Sequence, residues 1–495
     1  MSDYREELVA SLQLLWKIVV MVFMKKSVDI ITYVFIGHLE KRYLAAAGLA
    51  NVTANVVGNS ILTGLVGALA TICSQAYGAR NYKLLNLTLQ RGVAILITAC
   101  VPLTVLWLFS EPIIVFLGQS LDIAHLASKY LIYLIPGLFS FAYTVCLQGW
   151  LNSQQLTEAT ASIGVITAVL HPLWCYLCIY TFGLGYCGAA VALSVTRFLE
   201  GFLLSVYVFL HYEFRDPFVL SLEAFSDWGP FLLLGLPNVL MNSQWWAEEI
   251  IIFLSGTFGN PDKELAAMSV YQYMISVCYV VPRSLATVAS CRVGYFLGDG
   301  DAVKAKVASL ITTTLSLLQS VGVSMLLIGF RHNVGFIFTN DPGVNKMVGD
   351  QLMFVLSIYV IADSVQGNLT GVLSGMGRQQ VAGPVVLCCY YIIGIPVAYF
   401  LASYRYGMGL GVLGLTMGVT VGTWIHAGIY CYIVQQSDWI VEAERAKLQV
   451  AAATTVATDG DSIPTDVVYG PVASGDEESL VNESVVSNEV EMSVF

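Results

Sequence analysis

A helix needs about 20 mostly apolar residues to cross roughly 30 Å of hydrocarbon, and this chain offers twelve such stretches in succession. They cover residues 12–36, 46–73, 91–109, 124–147, 161–182, 187–210, 230–256, 265–289, 306–330, 351–374, 380–403 and 409–436, separated by short polar or Gly/Pro segments. Only 12% of the 495 residues are charged, about half the density found on soluble proteins. Most of the surface must therefore meet lipid, and the expected class is an all-α integral membrane protein. The first run is too long for the apolar core of a cleavable signal, and no cleavage site follows it, so it reads as a span.

Charge is distributed unevenly. The net charge is −11, yet residues 438–495 hold 12 Asp/Glu against two basic residues, which leaves the other 437 residues at −1. That final segment has no run of spanning length and reads as a disordered acidic tail. The eleven cysteines are scattered through apolar runs without metal-ligand spacing and read as small packing residues. No nucleotide loop, metal cluster or nucleophile motif appears, so neither an enzyme nor a nucleic-acid binder is expected, and no cofactor.

The longest interruption, 211–228, follows the sixth run and divides the chain into a first lobe (1–210), a linker (211–228), a second lobe (229–437) and the tail (438–495). The lobes carry matching features at an offset near 225 residues. Gln148-Gly-Trp-Leu-Asn-Ser-Gln-Gln155 follows run four, and Gly375-Met-Gly-Arg-Gln-Gln380 follows run ten. A mid-helix proline (Pro172, Pro396) and a glycine-bearing turn come next in each half. Six-helix repeats are related by an axis along the membrane normal, and transporters of this kind hold substrate between the halves. With the N-terminus inside, the inner segments carry 11 Lys/Arg and the outer ones seven, so the positive-inside rule places both termini in the cytoplasm.

Ionisable groups at bilayer depth cost about 2.5–3.5 kcal/mol each on insertion scales and mark a pathway or an internal pair. Run seven contains Gln244-Trp245-Trp246-Ala247-Glu248-Glu249. Trp245 and Glu249 share a helix face, an arrangement suited to an organic cation. Run ten carries Asp363, with Gln366 and Asn368 after it. Run one holds Lys25, Lys26 and Asp29 near its midpoint, with Lys17 two turns earlier, and Lys25 and Asp29 are spaced to pair at i, i+4. That group either lines a cavity or locks the helix to a neighbour. His171 and His426 read as packing residues.

Phe35-Ile-Gly-His38, Leu44-Ala-Ala-Ala-Gly-Leu-Ala50, Ser74-Gln-Ala-Tyr-Gly-Ala-Arg80 and Leu89-Gln-Arg-Gly92 resemble the multidrug and toxic-compound extrusion (MATE) family in its eukaryotic branch. Trp245-Trp-Ala-Glu-Glu249, Val281-Pro282, Leu297-Gly-Asp-Gly300, Gly371-Val-Leu373 and Gly394-Ile-Pro396 resemble its second half. The likeness covers roughly residues 8–436. It implies two pseudo-symmetric six-helix lobes exporting organic cations in exchange for protons.

Several positions depart from the family pattern. Where the run-seven motif has its first acid this chain has Gln244, and the acid of run eight is Gln272, after Tyr271. The run-one proline is Lys17, and the arginine of G-V-L-R-G is Ser374. Asp29 lies about a turn from an Asp that some bacterial relatives use. Glutamine keeps the hydrogen bonds of glutamate but takes up no proton near neutrality. Glu248, one turn from Gln244 on the same face, is expected to assume the missing role.

The expected function is proton-coupled export of small organic cations. Glu249, Asp363 and Glu248 would bind cation or proton, Trp245, Trp246 and Tyr271 would line the path, and Asn55 and Asn59 would add polar contacts from the other lobe. Lys25, Lys26, Gln244 and Gln272 leave open an anionic, zwitterionic or lipid-linked cargo, or lost coupling. A monomer in the plasma membrane, or in a vesicular or vacuolar one, is expected.

Overall fold

The structure is a computed structural model that describes residues 2–116, 118–211, 221–256, 261–339 and 341–459. Among these residues it is helical without strands, as a chain must be when no water can satisfy exposed backbone groups in lipid. Six spans form the first half: α1 (Tyr4–Gly37), α2 (Arg42–Gly78), α3 (Tyr82–Leu108), α4 (Leu121–Ser153), α5 (Thr157–Thr181) and α6 (Cys187–Leu210). The second half opens with two short helices, α7 (Gly229–Met241) and α8 (Gln244–Ser255). It continues through α9 (Lys263–Asp299), α10 (Ala302–Phe338), α11 (Pro342–Met376), α12 (Gln379–Ala402) and α13 (Val412–Gln436). A terminal helix, α14 (Trp439–Asp459), follows.

Eleven of these helices are long and apolar enough to span a bilayer. The stretch expected at 230–256 is the exception, because it is interrupted at Asn242-Ser243. The carbonyls freed at the interruption find local donors. Asn242 Nδ2 donates to Asn238 O at 3.0 Å, Ser243 Oγ to Leu240 O at 2.7 Å, and Tyr391 Oη to Ser243 O at 2.8 Å. Two end-to-end helices thus make the twelfth crossing. The polar triplet Asn242-Ser243-Gln244 inside an apolar run is the sequence cause.

Two apolar clusters fill the bundle. One is built around Leu62, Trp107, Tyr130, Trp150 and Leu204 of the first half. The other surrounds Tyr359, Tyr390, Tyr430, Leu373 and Leu415 of the second. The break in run seven falls at their boundary: Phe231 and Leu234 of α7 belong to the first cluster, Ala247 and Ile251 of α8 to the second. The large apolar side chains left exposed, such as Phe198, Phe202, Leu318, Met325 and Leu326, suit a lipid-facing girdle.

The halves meet near the end that carries the N-terminus. There Gly294 and Gly298 of α9 face Ser74, Gln75 and Gly78 of α2. A Cβ on Gly298 would lie 2.0 Å from Gln75 O, and one on Gly78 2.0 Å from Tyr295 O. Small residues at four-residue spacing allow this backbone approach, and in lipid close packing replaces the hydrophobic effect as the source of helix association. Thr71 Oγ1 donates to Ser374 O at 2.7 Å, and Gln75 Nε2 to Gly375 O at 3.1 Å. Arg292 of α9 clamps both oxygens of Glu7 on α1 and donates from Nη1 to Gln155 at 3.0 Å. Gln155 holds the left-handed conformation at φ 64° to present that oxygen.

Trp439–Asp459, expected within the disordered acidic tail, is helical. Trp439, Ala443, Ala446 and Val450 repeat at helical spacing and are buried, and Glu442 is ion-paired with Arg378. Trp439, Ala443 and Ala446 join the second cluster while Val450 joins the first, so α14 lies across both halves. Residues 460–495, the rest of the expected tail, and 212–220 of the expected linker lie outside the described residues. Within the linker, Leu222–Phe225 forms a short 3₁₀ turn whose Glu223 carbonyl accepts from Arg91 Nε.

Candidate functional site

Above the closed end the halves part. Leu14, Ile18 and Met21 of α1 pack with Val288 of α9, and Trp246 Nε1 donates across to Ser60 Oγ at 3.0 Å. Both contacts join the halves. Moving away from the N-terminal face, α1 next presents Lys25 and Asp29, one and two turns past Met21. In α9, which runs the other way, Arg283 lies five residues before Val288, about 7 Å higher. Asp29, Lys26 and Arg283 are exposed and Lys25 is half-buried, so these charged groups border the space between the halves.

The second half contributes an acid network. Glu248 of α8 is buried, accepts from Gln272 Nε2 at 3.0 Å and from Tyr359 Oη at 2.8 Å. The same hydroxyl lies 3.3 Å from Asp363 Oδ1, which also accepts from Gln366 Nε2 at 2.9 Å. One hydroxyl hydrogen thus faces two carboxylates. The sequence-predicted Glu248, Gln272 and Asp363 come together, and Gln244 is buried beside them on the same face of α8. Tyr359 was missed, although its i, i+4 spacing from Asp363 was legible. Glu249 does not join the network. It is half-buried and lies within electrostatic reach of Tyr33 on α1, across the cleft. Trp245 on its face stacks edge-on with Tyr279 at 4.9 Å, while Trp246 is bonded to Ser60 of the other half. Tyr271 is 2% exposed and belongs to the packed core of the second half rather than to an open path.

In the first half the expected Lys25–Asp29 pair does not form. Lys25 Nζ donates instead to Gln148 Oε1, and Gln148 Nε2 passes the contact to Glu200 Oε1 at 2.7 Å. A glutamine on α4 opposite the lysine outcompetes a carboxylate on the same helix that points into open space. Lys17 pairs with Glu158 at 3.0 Å. Arg197 of α6 lies over the Phe141 ring at 4.9 Å, with Nη1 buried and without a hydrogen-bond partner. Arg197, Glu200 and Arg283 were overlooked in the sequence, although the rule that singled out Lys25 applies equally to them. Asn59 Nδ2 donates to Asn55 Oδ1 at 2.9 Å within a π-turn of α2, whose free Val57 carbonyl accepts from Trp107 Nε1 at 3.1 Å. The two asparagines shape a kink and meet each other.

His171 is held between Thr32 (2.9 Å) and Thr196 (2.8 Å), and His426 packs edge-on against Tyr390 and Tyr430. An apolar groove of about 410 Å³ between α4 and α6, lined by Ile132, Tyr133, Pro136 and Phe198 among others, holds no Asp, Glu, Lys, Arg or His and is separate from both clusters.

The MatE family profile matches residues 18–177 and again 239–400, beginning 221 residues apart. The chain belongs to the multidrug and toxic-compound extrusion family. Its Arabidopsis thaliana relatives include Protein DETOXIFICATION 10, 33% identical over 87% of this chain and 88% of that protein. Protein DETOXIFICATION 14 is 32% identical over 85% and 87%. The crystal structure of the eukaryotic MATE transporter AtDTX14 superposes with a TM-score of 0.86 at 30% identity, covering 90% of this chain and all of that one. The two profile matches restate the internal repeat seen in the sequence. The chain is a multi-pass membrane protein and a secondary transporter of the extrusion type, not an enzyme.

Proposed function

We propose that this MATE protein exports small organic solutes carrying a cationic group in exchange for protons, by alternating access of the cleft between its halves. The carrying observation is the Glu248–Tyr359–Asp363 bridge. Two carboxylates that share one hydroxyl hydrogen repel each other unless a proton or a cation joins them. A proton entering this network and a cationic solute then compete for the same negative charge, which is the minimum an exchanger requires. Glu248 stands for the acid that Gln244 and Gln272 lack, and both glutamines serve as hydrogen-bond partners or neighbours to it. Glu249, with Trp245 and Tyr279 beside it, offers a cation a first contact in the cleft.

The positive-inside bias supports a cytoplasmic N-terminal face, with the cleft opening outward. The Arg292–Glu7 clamp, the α2–α9 seam and α14 hold the inner side shut. The protein acts as a monomer with lipid, solute and protons as its partners, in the plasma membrane. The test is uptake of tetraethylammonium into proteoliposomes of purified protein with and without an imposed pH gradient. Gradient-driven uptake should fall at least tenfold in Glu248→Gln. Unchanged uptake in that variant removes Glu248 from coupling, and uptake indifferent to the gradient removes proton exchange altogether.

A further inference from the structure

The cleft where α1 and α6 face α9 is more basic than export of simple cations calls for. Lys25, Lys26, Arg197 and Arg283 gather with only Asp29 and Glu200 as nearby acids. Arg197, Arg283, Glu200 and Asp29 all act electrostatically on Lys25, and Lys26 and Arg197 act on Asp29. Among the described residues none of the four cations has a carboxylate oxygen within the 4.0 Å of an ion pair. Glu200 is committed to Gln148 Nε2. Arg197 is held flat by Phe141, leaving Nη1 without an acceptor. Charges at this depth are kept where they have a partner, and a planar guanidinium fork with a free donor matches a carboxylate. Arg283 comes from the opposite half and is exposed, so an anion on Arg197 and Lys25 would also draw the halves together.

We propose that Lys25, Arg197 and Arg283 form a subsite for the carboxylate of the transported solute, so that the preferred cargo is amphoteric: a carboxylate between α1, α6 and α9 and a cationic group toward Glu249 and the acid network. This rests on the extrusion reading of the cleft and refines its substrate class. A carboxylate seated between α1, α6 and α9 gains charge-assisted hydrogen bonds that an ester cannot accept with comparable strength. Simple cations would bind only through the second half.

A matched pair of dyes tests this at equilibrium. Rhodamine 110 carries a free carboxylate, and rhodamine 123 is its methyl ester. Fluorescence polarisation with the purified full-length protein should give a Kd for rhodamine 110 at least about tenfold below that of rhodamine 123. Arg197→Gln and Arg283→Gln should each bring the two values within about twofold. Arg283, exposed and without an ion-pair partner, can be changed without disturbing packing, so its variant stands even where Arg197→Gln fails to fold. Equal affinities in the wild-type protein overturn the subsite, and so does a tenfold preference that survives Arg283→Gln. Binding at equilibrium needs no gradient, so loss of proton coupling in the transport assay leaves this result readable by itself.

Discussion

Replacing Arg292 by glutamine removes the centre of the clamp that joins the halves at the N-terminal face. Arg292 and Glu7 are 9% and 6% exposed. The guanidinium makes two bonds to the carboxylate and one to Gln155, with its face on the Phe296 ring at 4.7 Å. Deleting one member of a buried pair costs about 3–5 kcal/mol, most of it from the stranded charge. Glu7 would regain water if the halves separated at this face, so the cost falls on the closed state. Each 1.4 kcal/mol is tenfold in population, and the ratio of closed to open forms should drop by roughly a hundredfold or more. Spin labels at Lys83 and Lys306, exposed at this face on opposite halves, with the exposed Cys388 changed to serine, would report the separation by double electron–electron resonance. The variant should show a longer-distance population that the parent lacks. Adding Glu7→Gln, which removes the stranded charge, should restore part of the closed form. A distance distribution identical to the parent's in Arg292→Gln would refute the argument that this pair holds the face shut.

Other outcomes follow from the same packing. Gly298→Ala sets a Cβ 2.0 Å from Gln75 O across the seam and should lengthen the same label distance. Gly371→Ala, whose Cβ would sit 2.0 Å from Ala286 O within the second half, should lower the melting temperature by an overpacking cost of about 1–3 kcal/mol without that lengthening. Tyr359→Phe keeps the shape of the acid network and removes its shared hydrogen. It should reduce gradient-driven uptake severalfold while circular dichroism stays native. Val450→Glu puts a charge where α14 meets the first half and should raise hydrogen exchange across 439–459 with little change in the core helices.

The spans were legible because a bilayer admits few alternatives, and eleven runs fall on helices long and apolar enough to cross it. The exceptions arise where a residue's tertiary partner decides the outcome. Asn242 and Ser243 interrupt an otherwise apolar run because their side chains and Tyr391 can satisfy the carbonyls that the break releases. Counting charges hid α14. The 12 acids of the last 58 residues signalled a solvated tail, while the four-three-four spacing of Trp439, Ala443, Ala446 and Val450 marked a docked helix within it. Arg197 and Arg283 stand within apolar runs as Lys25 does, and the same rule would have singled them out.

The acid pair and the basic group differ in how the sequence reveals them. Glu248, Gln272 and Asp363 come from three helices of one half, and each stands out as a polar residue within an apolar run. Their meeting follows once those helices pack. The i, i+4 rule for Lys25 and Asp29 predicted a local pair that the fold does not make, because Gln148 on α4 offers Lys25 a buried acceptor while Asp29 faces the cleft. A local pair would have neutralised Lys25. Diverting Lys25 to a neutral amide leaves it, Lys26, Arg197 and Arg283 without ion pairs beside Asp29, and that charge, drawn from both halves rather than from any single residue, gives this end of the cleft a role in choosing cargo.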